Sequence, residues 1–178
     1  MKLMRRLRRF AASKRGVAAV EFAIIAPMMI FLLFGSVDLF DVLNANKRAQ
    51  NAAASVADVI ARDTEVSDSE LAGIWDALDI LMFPNDASTM QIRVSSVSIE
   101  NATTARVVWS EGHGMSARTP NSTVALPAAM MAPGTSIIMT ESVYPYTAPL
   151  GFLYTGTMNL THDAYRRSRL VDPIPRVA

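Results

Sequence analysis

The chain has 178 residues, which leaves room for one membrane anchor and one domain of about 100 residues. Its 17 Lys and Arg residues nearly balance its 16 Asp and Glu residues, yet residues 1–16 hold seven of the basic residues and no acidic one. Because this basic segment borders an apolar run and has little aromatic content, it indicates a membrane-topology signal and argues against a nucleic-acid partner. The absence of cysteine excludes disulfides and thiolate metal sites.

A long apolar segment follows the basic residues. Val17–Val37 holds 21 residues with one charged residue, Glu21, and about 20 apolar residues suffice for a helix to cross a membrane. Asp38 and Asp41 follow the segment, so its basic side is expected to stay in the cytoplasm while the rest crosses. A secretory signal peptide is the main alternative, but no small-residue cleavage site closes the apolar run.

Glu21 is unusual because a carboxylate inside a membrane helix costs roughly 2.5–3.5 kcal/mol at the helix centre. One interpretation is that Glu21 lies near the cytoplasmic interface and pairs with Arg15. The other interpretation considers Gly16, which directly follows Lys14-Arg15 and lies five residues before Glu21. In that case the glycine and the glutamate belong to one signal.

Such a signal is found in secreted fibre subunits. A basic leader, a glycine and a glutamate at the fifth position of an apolar helix together resemble the cleavage signature of type IV prepilins and pseudopilins. The string Arg15-Gly16-Val17-Ala18-Ala19-Val20-Glu21-Phe22-Ala23, with Pro27, resembles more narrowly the TadE-like proteins of tight-adherence (Flp) pilus systems. The Flp-type motif usually continues glutamate-tyrosine, whereas this chain has Glu21-Phe22.

The resemblance implies a function and a set of partners. It implies a processing site at Gly16, Val17, Glu21 and Phe22, cut between Gly16 and Val17 by a prepilin peptidase. It implies a minor pilin or pseudopilin that supports pilus biogenesis and surface attachment without any cofactor or metal. The implied partners are the prepilin peptidase, the Flp major pilin, other TadE-, TadF- and TadG-like subunits, and the inner-membrane pilus platform. The implied location is the bacterial inner membrane, crossed once with the N-terminus inside, and the subunit either enters the fibre or stays at its base.

The helical period continues beyond the apolar segment. Apolar and small residues recur at alternating spacings of four and three from Glu21 to Ile60, which predicts one continuous helix with a packed face. Ala49 and Ala53 lie on this face in an alanine-rich run. Two interpretations stay open: packing on the protein's own sheet, and a seam with other subunits that would make Ala49 and Ala53 assembly residues together with Glu21.

The rest of the chain is predicted to be an α+β domain. A helix is expected near Asp68–Phe83, and period-two segments predict strands at 90–99, 105–110, 137–144 and 157–165. The prolines after Tyr144 are expected to end the third strand, since proline cannot donate to a ladder. The resemblance to TadE-like proteins extends loosely over 90–170, through a Tyr-x-Tyr segment, a proline-bearing turn and an arginine-rich end.

These elements predict a pilin-like α+β fold, in which a long N-terminal membrane-anchoring helix packs on a small antiparallel sheet of about four strands. The predicted organisation is a basic leader at 1–16, a transmembrane helix at 17–40, its continuation at 41–63, and an extracytoplasmic domain at 64–178.

No residue pattern indicates catalysis. His113 and His162 are the two histidines, and neither has the spacing of a metal ligand. His113 is expected at a flexible loop tip, and Asp163 beside His162 in a strand would point to the opposite face. Two functions of other classes remain as alternatives: an unprocessed, membrane-anchored periplasmic binding or sensor domain, and a tethered enzyme, which lacks a candidate site. Gly16 together with Glu21 favours the pilus subunit.

Overall fold

The computed structural model describes Met4 and residues 14–177. These residues form two units. The anchor unit comprises the described residues up to Asp41 together with Ala148–Thr155, and the head comprises Val42–Thr147 with the chain from Gly156 onward. The boundary between Asp41 and Val42 therefore falls inside a continuous helix.

That helix, α1, spans Lys14–Ile60 and includes the predicted start at Val17. Pro27 lies inside it without ending it, and the predicted long apolar helix is confirmed. The side chains in its first half are largely exposed, as Phe22 and Leu32 are at 68% and 66%. In the head, α1 buries one face, formed by Ala45, Ala49, Ala52, Ala53, Val56, Ala57 and Ile60.

A second helix, α2, spans Asp68–Met82 in the head, close to its predicted range. A capping box starts it: the Ser67 hydroxyl accepts the Glu70 N–H, and the Glu70 carboxylate accepts the Ser67 N–H at 2.6 Å. The Ser67 backbone N–H and the Ser67 hydroxyl both donate to the Glu70 carboxylate, and these two bonds lower the pKa of Glu70. Leu71, Leu78 and Met82 form the buried side of the helix.

Four antiparallel strands form one sheet in the order β2-β1-β3-β4. Their bounds are Gln91–Ile99 for β1, Ala105–His113 for β2, Thr135–Thr147 for β3 and Thr157–Arg167 for β4. The prediction of an α+β fold with a long helix and a four-stranded antiparallel sheet is therefore confirmed.

Two strand ends differ from the prediction. His113 was expected at a flexible loop tip, which was wrong: it ends β2, pairs with Ile92 and stacks on the ring of Trp75 at 5.5 Å. The prediction that β3 ends near Tyr144 was also wrong, because the strand continues through Pro145. β1 begins at Gln91, opposite Val143, so from Tyr144 onward β3 pairs with β4 alone. A proline is tolerated where one side of a strand has no neighbour.

One face of the sheet is covered by the chain that follows β2. This face holds the buried cluster Val97, Ile99, Ala105, Val107, Val124, Ile137 and Met139. The segment around Ser122 and Val124 pairs with the outer edge of β2, since Val107 donates to the Ser122 carbonyl and Val124 to the Ala105 carbonyl, both at 3.0 Å. This segment protects part of an edge that would otherwise expose unpaired backbone groups.

The opposite face of the sheet carries small side chains and meets α1. Ser96, Thr140, Ser142 and Ala164 are buried there, and His162 Nε2 lies 3.0 Å from Asn46 Oδ1 of α1. Ala49 and Ala53 are fully buried at 0% exposure, which favours packing on the protein's own sheet over a seam with other subunits.

The end of the chain ties several head elements together. Val66 donates to the Pro175 carbonyl and accepts from Val177, and Ile174 is fully buried. The indole Nε1 of Trp109 donates to the Ile174 carbonyl at 2.8 Å, and Arg176 forms ion pairs with Asp68 and Glu111.

Candidate functional site

The predicted processing junction lies within the helical backbone of α1. Gly16 is half-buried, Val17 is 56% exposed, and both Glu21 and Phe22 are exposed. A glycine inside a helix lowers helix stability by about 0.5–1 kcal/mol relative to alanine, so this point of the helix unwinds more readily than its neighbours. The junction is therefore accessible and locally weak.

Glu21 makes no hydrogen bond or ion pair with any residue that the structure describes. The predicted partner in the interfacial interpretation was Arg15, whose side chain lies outside the described residues. The Glu21 carboxylate projects from an otherwise apolar stretch of helix.

The first half of α1 has the length and composition of a membrane span. Its most apolar 18-residue window has a mean hydropathy of 2.4, and none of that window is buried by the rest of the protein. The core helix of a soluble protein would be buried by other parts of the chain, whereas this window of α1 is not. This pattern indicates single-pass anchoring in a membrane.

Asp38 follows the apolar segment and is almost completely buried, at 3% exposure. Its Oδ2 accepts the backbone N–H of Phe152 at 2.6 Å and that of Leu153 at 2.8 Å, whereas its Oδ1 has no hydrogen-bond partner among the described residues. Hydrogen bonds to a carboxylate are stronger than those to a neutral acceptor. Asp38 therefore holds the loop between β3 and β4 against α1.

The same loop packs on aromatic side chains of α1. The ring of Phe152 lies 5.4 Å from that of Phe31 and 5.8 Å from that of Phe34, centroid to centroid. Gly35 allows this approach, because a Cβ there would lie only 3.3 Å from Leu153 Cδ1. This contact was not predicted from the sequence. The available signal was an apolar turn, Leu150–Tyr154, where turn residues are usually polar.

A polar cluster joins the sheet to its covering loop in the head. The Glu141 carboxylate on β3 receives both Nε and Nη2 of Arg118, at 2.8 and 2.7 Å, and Nε of Arg93 at 2.9 Å. Partial burial acts to raise the pKa of Glu141, but the hydrogen bonds from the two arginines outweigh it, and the pKa lies below the ordinary value of 4.5. The Arg93 Nη1 also donates to the Ser116 carbonyl, so the cluster fixes the loop after β2.

A second cluster joins the end of α1 to the end of β4. Asp58 forms ion pairs with Arg62, with Arg166 at 3.7 Å and with Arg169 at 2.6 Å. The Arg169 N–H also donates to the Ala61 carbonyl at 3.0 Å. One carboxylate here faces three guanidinium groups, so the arginine-rich end of β4 has a structural role.

Candidate metal ligands and catalytic bases in the head are its histidines and acidic residues. Among the described residues, no group of three or more His, Asp and Glu side chains could hold a metal ion. His162 contacts Asn46 on one face of β4, whereas Asp163 lies 3.5 Å from the Tyr165 hydroxyl, which agrees with the prediction that the two adjacent side chains point to opposite faces.

Comparison with protein families gives one match. The family model described as TadE-like protein matches residues 16–58, from the predicted cleavage glycine to the alanine-rich part of α1. None of the four strands lies in the matched segment. No curated protein and no solved structure matches the chain. The match supports the family assignment that the residues around Gly16 and Glu21 suggested.

Proposed function

We propose that this chain, which the match over residues 16–58 assigns to the TadE-like family, is a minor pilin or pseudopilin of a bacterial tight-adherence pilus. The match carries the proposal, because it begins at the glycine of the processing signature and includes Glu21. In this proposal the chain is first inserted into the membrane, then processed by the peptidase and finally assembled with other subunits.

Insertion uses the bare apolar half of α1. The basic residues before Gly16 and the acidic Asp38 and Asp41 after the span favour a cytoplasmic N-terminus. The protein would then be a single-pass component of the inner membrane, with the head on the extracytoplasmic side. A head of this kind, without a disulfide, depends on packing and ion pairs such as those of Asp58 and Glu141.

Processing would be carried out by a prepilin peptidase that cuts between Gly16 and Val17. Gly16 has no side chain to obstruct a narrow active site, and a glycine lowers the local stability of the helix at the junction. Phe22 keeps the aromatic ring of the usual tyrosine but lacks its hydroxyl. Cleavage removes the basic leader and creates a new positive charge at the α-amino group of Val17.

Assembly would use Glu21 and that new amino group. In a low-dielectric environment, opposite charges attract more strongly than in water, so Glu21 of one subunit can pair with Val17 of the next. The expected partners are the Flp major pilin, sister TadE-, TadF- and TadG-like subunits and the inner-membrane platform. Ala49 and Ala53 are buried in the head, which favours Glu21 as the assembly residue of this proposal.

The test is N-terminal sequencing of the membrane-bound protein from cells that contain an active prepilin peptidase, with processing of the Flp pilin as the internal standard. We expect a mature chain that starts at Val17, and no processing of Gly16→Val. Ala19→Val, which adds similar bulk three residues later, is the matched control and should be processed normally.

Two results would contradict the proposal. An intact chain in cells that process the Flp pilin would favour the unprocessed periplasmic binding or sensor domain. A mature chain that starts near residue 40 would show removal of the whole apolar segment by a signal peptidase.

A further inference from the structure

We propose that the loop between β3 and β4, Ala148–Thr155, inserts into the extracytoplasmic interface of the lipid bilayer beside α1. The loop would be a second lipid-contacting element of the anchor unit. This inference rests on the membrane anchoring in the proposed function and goes beyond it, since the family match ends at residue 58.

The composition of the loop supports a lipid partner. Residues 148–155 contain no charged side chain, and four large side chains are exposed: Leu150 at 52%, Phe152 at 44%, Leu153 at 50% and Tyr154 at 42%. A turn exposed to water would normally be rich in polar residues. An apolar cluster of this kind marks a surface that binds another apolar phase.

The position of the loop decides which apolar phase is meant. Phe152 packs on Phe31 and Phe34. These two residues precede Val37, the end of the apolar segment, by six and three residues. At 1.5 Å per residue, these contacts lie about 9 and 5 Å inside the apolar segment. A loop that touches α1 at this level is continuous with the surface that faces lipid.

Two backbone N–H groups of the loop have an acceptor within the anchor unit. Polar backbone groups without a partner are costly in lipid, and irregular chain is tolerated there only when its groups are satisfied. The buried carboxylate of Asp38 accepts the N–H groups of Phe152 and Leu153, the two residues that contact α1. Tyr154 adds an aromatic ring with a polar end, a residue type enriched at membrane interfaces.

The absence of cysteine from the chain makes a direct test possible. Single cysteines would be introduced by Leu150→Cys and Tyr154→Cys, which leave Phe152 and Leu153 in place. Leu32→Cys in the span is the lipid control, and Ala102→Cys in the exposed hairpin between β1 and β2 is the water control. Each full-length variant is spin-labelled and reconstituted into vesicles of phosphatidylcholine and phosphatidylglycerol.

The measurement compares relaxation by oxygen, which concentrates in lipid, with relaxation by a water-soluble nickel chelate. We expect labels at 150 and 154 to collide with oxygen and to lose most collisions with the nickel chelate relative to position 102. Nickel accessibility equal to that of position 102 would overturn the inference, as would protection from both reagents, which indicates cover by another protein surface. If the label at Leu32 is itself open to nickel, the membrane anchoring of the proposed function fails instead.

Discussion

The imidazole of His162 on β4 lies 3.0 Å from the amide oxygen of Asn46 on α1. This contact places the second half of α1 on the sheet, where Ala49, Ala53 and Ile60 are completely buried. The helix is therefore both an anchor and a part of the core of the head.

We expect a chain that starts at Asp41 to fold and unfold cooperatively, and one that starts at Asp68 not to do so. The longer chain keeps the buried face of α1, whose apolar area contributes about 25 cal/mol per Å² removed from water. Denaturant unfolding followed by circular dichroism compares the two. Equal cooperativity would show that α1 is not part of the core.

Asp38→Ala should release the loop between β3 and β4, because two backbone N–H groups lose their acceptor. Asp38→Asn keeps an uncharged acceptor and should have a weaker effect. Hydrogen exchange of residues 148–155 in lipid vesicles measures the release, with Asp41→Ala as the control for loss of an acidic residue from the same helix. Unchanged exchange in Asp38→Ala would mean that the aromatic contacts alone hold the loop.

In the chain that starts at Asp41, Glu141→Gln should lower the free energy of unfolding by about 1–3 kcal/mol at pH 7, because two arginines lose a charged acceptor. The pKa of Glu141 is lowered in the folded protein, so its contribution is present above the ordinary value of 4.5 and is lost as the pH falls through the lower, folded pKa. The difference in unfolding free energy between wild type and variant should therefore shrink as the pH falls below the ordinary value of 4.5. A difference that stays constant down to pH 2 would contradict an ionic origin.

Trp109→Phe should free the end of the chain, because the buried carbonyl of Ile174 loses the indole N–H that binds it at 2.8 Å. An unsatisfied buried carbonyl costs about 1–3 kcal/mol. Trp75→Phe is the matched control, since that half-buried ring stacks on His113 and a phenyl ring retains much of the contact. Proteolysis after residue 170 measures the release, and equal protection in both variants would argue against the role of this bond.

The sequence was sufficient for the elements with a strong local signal. The apolar run predicted α1, a helix was expected near Asp68–Phe83, where α2 lies, and alternation predicted the four strands. The end of β3 was misjudged because the effect of Pro145 depends on whether a neighbouring strand is present, which is a tertiary property. The contact of Asp38 with Phe152 joins residues 114 positions apart, and no local pattern specifies it.

The interpretation of Ala49 and Ala53 also required the structure. Small residues permit close approach, but they do not identify the partner. Both alanines are fully buried in this chain, on the side of α1 that also carries Asn46, whose amide oxygen lies 3.0 Å from His162 of β4. Alternation in the sequence predicts β4 but not the element packed on it. Glu21 differs from these alanines, because its carboxylate is exposed and has no partner among the described residues. The structure therefore does not identify what Glu21 binds.

Glu21→Gln should separate assembly from anchoring. The variant removes a charge from the apolar segment, so insertion should be as efficient as in wild type or better. Pairing with the α-amino group of Val17 in a neighbouring subunit is lost, and surface pili and attachment should fall. Glu21→Asp, one methylene shorter, should keep part of the function.

A deletion strain complemented with each variant is scored separately for membrane level, processing and surface pili, with Ala19→Val as a control for changes in the same part of α1. If Glu21→Gln matched wild type in all three, Glu21 would be a tolerated interfacial residue without a role in assembly.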